Sequence, residues 1–292
     1  MFIVVESGST KADWMVVNDD VKIAYNTKGF NPYFHNKEDI LLELNDHLEL
    51  DLIKDKVEQL YFYGAGCSSP QLNQIIKKGL AAFFTKAEIH VNHDLTAAAY
   101  ACFSGKPEIA CILGTGSNSC FYNGSNIIEE VPALSYILGD EGSGCYLGKQ
   151  LLTDYLYKRV PEPIANDLEA QQLTKEVIFE NVYKKPEANV YIASFMKTLV
   201  HHKNLSYTQQ LIERAFQAFI DVHVKCFVNY QEVEVNFVGS VASLLQDELH
   251  AVCEKNGIKV GGIIRRPLDH LVNYHVKLAE LQTNNSYVNR MG

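Results

Sequence analysis

The chain has no stretch of about eighteen consecutive apolar residues, so no segment of it is expected to span a membrane. It also lacks an excess of positive charge: 26 Lys and Arg against 35 Asp and Glu give a net charge of −9. That sign argues against nucleic acid as a partner, because phosphate backbones are gripped mainly by Lys and Arg. A nucleotide is not excluded, since a few local donors hold one. The seven cysteines form no Cys-x-x-Cys pair, so neither a disulfide framework nor a zinc knuckle is expected, and a reducing compartment fits. No His-Glu-x-x-His helix is present, which leaves a protein-built metal cage without support. Low-complexity tracts are missing too. Glu6 interrupts the N-terminal apolar run before it reaches the length of a signal peptide, and the cytoplasm is the expected compartment.

What is present is enough apolar residue, 47% of 292, to bury a large core in one or two domains. The most informative stretch runs from Ile109 to Ser119: an apolar strand empties into Gly114-Thr115-Gly116-Ser117 and re-emerges as a second strand through Cys120-Phe121-Tyr122. Such a turn exposes backbone N–H groups and hydroxyls at close range and can hold a phosphate. Alone, it is also ordinary hairpin chemistry. A second copy sharpens it: Phe2 to Val5, the turn Ser7-Gly8-Ser9-Thr10-Lys11, and a strand through Trp14 to Val17. Two halves that begin alike suggest an internal duplication whose two turns serve one nucleotide.

Between the copies, apolar spacing predicts a helix over 38–50 with Ile40, Leu41, Leu44 and Leu48 inward, a strand over 59–63, a helix opened by Pro70, and a strand over 87–91. Asp94 falls where that strand hands over to an alanine-rich helix, and a helix cap and a catalytic carboxylate fit the position equally well. Asn31 lies on the Gly29 to Pro32 loop, where a local turn hydrogen bond accounts for it. Ser104 to Pro107 marks the expected boundary, giving domains 1–105 and 106–292, the second with a helical insertion at about 145–230. The order strands, helix, strand, helix, strand, helix, written twice, implies an α/β chain of two mixed sheets flanked by helices and facing a central cleft.

Five stretches now fall in the order of a known family: Glu6 to Lys11, His93 to Ala98, Leu113 to Asn118, Gly139-Asp140-Glu141-Gly142-Ser143-Gly144, and Gly239 to Ala242. Together they resemble the N-acetylglucosamine kinases and BadF/BadG-type ATPases of the actin–hexokinase–Hsp70 superfamily. The resemblance implies two ribonuclease H-like (actin-like ATPase) domains and a kinase that moves the γ-phosphate of ATP to an amino-sugar hydroxyl, the one on C6 of N-acetylglucosamine being favoured. It further implies Asp94 as the general base. Gly8, Ser9, Thr10 and Lys11, with Gly114, Thr115, Gly116 and Ser117, would hold the phosphates, and Gly239, Ser240 and Val241 the adenosine. Asn31, Ala65, Gly66, Asp94, Thr115 and Asp140 would meet the sugar. Glu6 and Asp140 would hold Mg²⁺ through water. Without the resemblance, Asp140 and Glu141 read as favourable charges at a helix start.

This sequence departs from the pattern in places. Glu6 stands where most relatives have aspartate, Ser7 and Ser9 replace glycines, and Ser135-Tyr136 occupies the region where the animal enzymes place a tryptophan near the sugar. An ATPase that drives a redox partner and a sugar or nucleotide sensor are the competing readings. The former needs cysteines placed to hold a cluster. A homodimer is left open.

Overall fold

The computed structural model describes residues 1–8, 11–19 and 21–291, the side chains of 281–291 excepted. The chain divides into two compact units: Met1–Ala101 with Pro267–Gly292, and Cys102–Arg266.

The first unit is built on a five-stranded sheet of β1 (Phe2–Ser7), β2 (Lys11–Asn18), β3 (Val21–Lys28), β4 (Gln59–Gly64) and β5 (Glu88–His93), in the order β3-β2-β1-β4-β5. Strands β1, β2 and β3 pair antiparallel, while β4 and β5 join parallel to β1. The central place of β1 follows from its sequence: Ile3, Val4 and Val5 are all fully buried, as a strand covered on both faces requires. The polar, largely exposed β3 takes an outer position, where Lys22 discourages further pairing.

Helices cover this sheet. The helix Lys37–Asn45 starts with a capping box between Asn36 and Asp39. The expected helix over 38–50 does not run through: it ends at Asn45, and a short helix Leu48–Asp51 restarts beyond His47. Asn45, Asp46 and His47 are weak helix formers, and the restart sends Leu50 inward while Leu48 stands exposed. The helix Pro70–Phe83 has Pro70 in its first turn and Ser69 as its cap, accepting from Leu72 N–H at 3.3 Å.

The last helix, Leu268–Met291, corrects the expected boundary, since it belongs to the first unit and not to a domain over 106–292. Chain order could not reveal this; side-chain chemistry does. The Tyr63 hydroxyl lies 2.7 Å from His275 Nε2, the Tyr61 ring stacks on His275 with centroids 3.7 Å apart, and Tyr100 stacks on Tyr274. Burial, and then the nearby His90, lowers the His275 pKa to about 4, so its ring packs as a neutral group.

The second unit repeats the plan. Strands β6 (Glu108–Leu113), β7 (Ser117–Tyr122), β8 (Ile127–Ile128), β9 (Glu234–Val238) and β10 (Lys259–Ile264) form a sheet in the order β10-β9-β6-β7-β8. Again the first three strands pair antiparallel and the last two join parallel, so both sheets are mixed and share one topology. Helices inserted between β8 and β9, from Gly144–Leu156 to Ser206–Phe219, pack on the sheet through Leu147, Leu151, Ile212, Phe216 and Phe219. Among the described residues no helix is long and apolar enough to cross a membrane.

Candidate active-site loops

In the first unit, strand register assembles the predicted residues. Ser7 of β1 lies opposite Gly64 of β4, and Gly64 lies opposite His93 of β5. The next residues, Gly8, Ala65 and Asp94, therefore leave three neighbouring parallel strands at the same level, within roughly 10 Å given the usual strand spacing. The carboxyl ends of such strands are where open α/β sheets bind ligands. The Ala65 N–H donates to the Ser7 carbonyl at 2.9 Å and the Gly8 N–H to the Lys11 carbonyl at 3.0 Å, which closes the first turn. Ser9 and Thr10 lie outside the described residues.

Asn31 joins the same end of the sheet. Ser7 Oγ accepts from the Phe30 N–H at 2.8 Å and so holds the Asn31 loop against β1. Asn31 Oδ1 accepts from the Tyr33 N–H at 3.0 Å, the local turn bond foreseen for an exposed amide, although the residue is buried. The Asn31 side chain also fills the space beside Gly66: a Cβ there would stand 2.7 Å from Asn31 Oδ1, and φ at Gly66 is +81°. A side chain at 66 would therefore displace Asn31. Glu6 sits half-buried one residue before the strand end, paired in register with Asp13 and Tyr63. The Lys11 ammonium lies 2.7 Å from Asp13, so its charge is engaged by that carboxylate.

Asp94 is the first residue of the helix Asp94–Cys102, and its side chain is about one-third exposed. Its Oδ1 lies 3.2 Å from His93 Nδ1. Cys67 is buried nearby, its thiol pushed up to about 12 by burial and then by the Asp94 charge. Trp14, by contrast, is core: fully buried, it donates to Thr27 Oγ1 at 2.9 Å and packs edge-on to Phe30.

In the second unit the glycine turn and the 139–144 loop interlock. Gly144 N–H donates to the Gly114 carbonyl at 2.8 Å and Cys145 N–H to the Thr115 carbonyl at 3.0 Å. Asp140 adopts φ of +59° and accepts from the Ser117 N–H at 3.2 Å through Oδ1. Burial is the main cause of its raised pKa; the Ser117 N–H opposes the rise, Glu141 adds to it and Lys149 opposes it. A Cβ on Gly116 would lie 3.0 Å from both Asp140 oxygens, so a side chain there would push that carboxylate aside by a few tenths of an ångström. Gly239 meets the same turn from β9: a Cβ there would come within 2.3 Å of the Leu113 carbonyl oxygen, and φ is +129°. Ser240 and Val241 follow in a short helix, Ser240–Leu244, with Val241 buried.

Ser117 Oγ is buried and has no hydrogen-bond partner among the described residues. A buried hydroxyl without a partner is costly, and a ligand oxygen would satisfy it. This fits a phosphate on the turn. Glu6 and Asp140, the carboxylates expected for Mg²⁺, each offer the hard oxygen chemistry such an ion takes, Asp140 from the loop that accepts the Ser117 N–H of the glycine turn. Among the described residues no group of three or more His, Cys, Asp or Glu side chains is placed to hold a metal, an arrangement Mg²⁺ does not need when phosphates and water complete its shell.

Sequence reasoning missed His223. It is buried, stacks on Phe219, and stands 3.6 Å from Glu141 of the 139–144 loop and 3.5 Å from Ser119 Oγ. Its distance along the chain hid it. The one structural mark at its position is a π-helical turn over Ile220–Val224.

No protein-family model matches the sequence, and no curated protein does. Solved structures do. A Porphyromonas gingivalis protein named putative N-acetylglucosamine kinase is 32% identical, with 94% of this chain and 98% of that one aligned at a TM-score of 0.89. A Chromobacterium violaceum protein of the same name aligns over 94% and 99% at 13% identity and a TM-score of 0.61. A ROK-family glucokinase from Streptomyces griseus, solved with glucose and AMPPNP, aligns over 94% and 97% at 14% identity and a TM-score of 0.55. The last two share the fold. With two five-stranded sheets of one topology, and near-complete alignment to the Porphyromonas protein, the chain belongs to that protein's family of sugar kinases with the actin-like ATPase fold.

Proposed function

We propose that the protein is an ATP-dependent kinase of an amino sugar, with N-acetylglucosamine as acceptor and its C6 hydroxyl as the site of transfer. The observation that carries this reading is the position of Asp94: a partly exposed carboxylate at the carboxyl end of β5, beside strand ends that bring up Gly8, Ala65 and Asn31. The names of the Porphyromonas and Chromobacterium proteins support the choice of sugar.

Asp94 accepts the proton of the acceptor hydroxyl as that oxygen bonds to the γ-phosphorus of ATP and the bond from the γ-phosphorus to the β–γ bridging oxygen breaks, releasing ADP. Asn31 and the backbone at Ala65 and Gly66 orient the sugar. Gly8 and Lys11 contact the phosphates from the first turn. The turn 114–117 donates N–H groups and the Ser117 hydroxyl to the phosphates, and Gly239 to Val241 line the adenosine. Mg²⁺, when bound through Glu6 or Asp140, would offset charge on the phosphates.

The redox-partner reading gains no support from the cysteines. Cys145, the one beside the glycine loop, is fully buried, and burial pushes its thiol up to about 12. The test is ADP release across hexoses, free hexosamines and N-acetylhexosamines. We expect release only with sugar, and the highest kcat/KM with N-acetylglucosamine. Equal ADP release with and without sugar would replace the kinase reading with a plain ATPase.

A further inference from the structure

His93 precedes the proposed base, and the backbone gives the two side chains no default reason to meet. Within a strand, consecutive residues point to opposite faces, and in a helix they diverge by about 100°. Only the junction between β5 and the helix Asp94–Cys102 turns them together and brings Nδ1 within 3.2 Å of Asp94 Oδ1. The Leu95 N–H donates to the same nitrogen at 3.4 Å. These two contacts require opposite states of Nδ1. Accepting from Leu95 would make His93 a plain helix cap. It would also set a nitrogen lone pair against an ionised carboxylate at 3.2 Å, which is repulsive. The Asp94 contact is the shorter of the two and lies at ion-pair distance, so a proton on Nδ1 would make it charge-assisted. Among the described residues Asp94 is the only acidic group within ion-pair distance of His93.

We infer that His93 is a positioning residue for Asp94: its Nδ1–H holds Oδ1, fixes the carboxylate's rotation, and leaves Oδ2 to take the acceptor's proton. Exposure of about a quarter of the His93 side chain and a third of Asp94 keeps the pair at the accessible end of the sheet. The inference rests on Asp94 being the base, and its test separates the two ideas.

Three substitutions at 93, assayed with Mg-ATP and N-acetylglucosamine, discriminate positioning from capping. Asparagine can both cap the helix and donate to Asp94, aspartate can cap but not donate, and alanine does neither. We expect His93→Asn to keep kcat within about threefold, and His93→Asp and His93→Ala to lose about tenfold to a hundredfold in kcat, with KM for ATP and sugar within about twofold. Wild-type kcat in His93→Asp would overturn the inference, because capping alone would then account for the residue. So would an equal loss in His93→Asn. Thermal melting of each variant identifies any that fails to fold, and the Asn and Asp pair, both good caps, decides the matter if the alanine variant is unstable. Undiminished turnover by Asp94→Asn would instead remove the base, a result distinguishable from failure at 93.

Discussion

Glu108 opens β6 with its side chain 2% exposed, beside Glu234 in register on β9. Oε2 accepts from Asn236 Nδ2 at 3.1 Å, while Oε1 has no partner among the described residues. Burial, and then the Glu234 charge, raises its pKa from an ordinary 4.5 to about 8. The folded state thus binds a proton that the unfolded chain releases at neutral pH. Stability from this group is fully present below 4.5, falls as pH rises, and is gone above about 8. At about 1.4 kcal/mol per pH unit the gap has a ceiling of roughly 5 kcal/mol, and relaxation around the charge brings the expected effect to about 2–4 kcal/mol. Glu108→Gln keeps an acceptor for Asn236 and removes the ionisation. The variant should match wild type at pH 4.5 and exceed it by about 2–4 kcal/mol at pH 8.5, a melting rise of about 5–10 °C for a unit of this size. Differential scanning calorimetry from pH 4.5 to 9 measures it. Parallel melting curves for the two proteins over that range would refute the reasoning.

Two further substitutions probe the packing around the 114–117 turn. Gly116→Ala should fold with a melting temperature within a few degrees of wild type, yet lose about tenfold in kcat as the new methyl group displaces the Asp140 carboxylate; steady-state kinetics beside a thermal melt separates the two effects. Gly239→Ala meets backbone at 2.3 Å in a conformation L-residues avoid, so it should cost about 2–4 kcal/mol, read as a fall in melting temperature.

Much of this architecture was legible because each strand carries its own pattern. The apolar run Ile3 to Val5 and its echo at Ile109 to Leu113 announced strands, and the glycines after each announced where the chain had to turn. Asp94 stood out because a strand period gave way to a run of alanines at that residue. What remained hidden depended on contacts that sequence spacing does not encode. The last helix joins the first unit through Tyr63, Tyr100, Tyr274 and His275, residues scattered over more than two hundred positions. Leu48 fitted the helical spacing but is exposed, because three weak helix formers end the helix before it. His93 was visible as a letter beside Asp94, but two consecutive residues are not expected to touch until the junction between strand and helix is seen.

The account turns on the carboxylate at residue 94 acting as base. Asp94→Asn removes its basicity at nearly constant shape, so single-turnover phosphoryl transfer to N-acetylglucosamine should fall by about 10²–10⁴-fold while ATP affinity, measured by calorimetry, stays within about twofold. Transfer by the variant at the wild-type rate would contradict it.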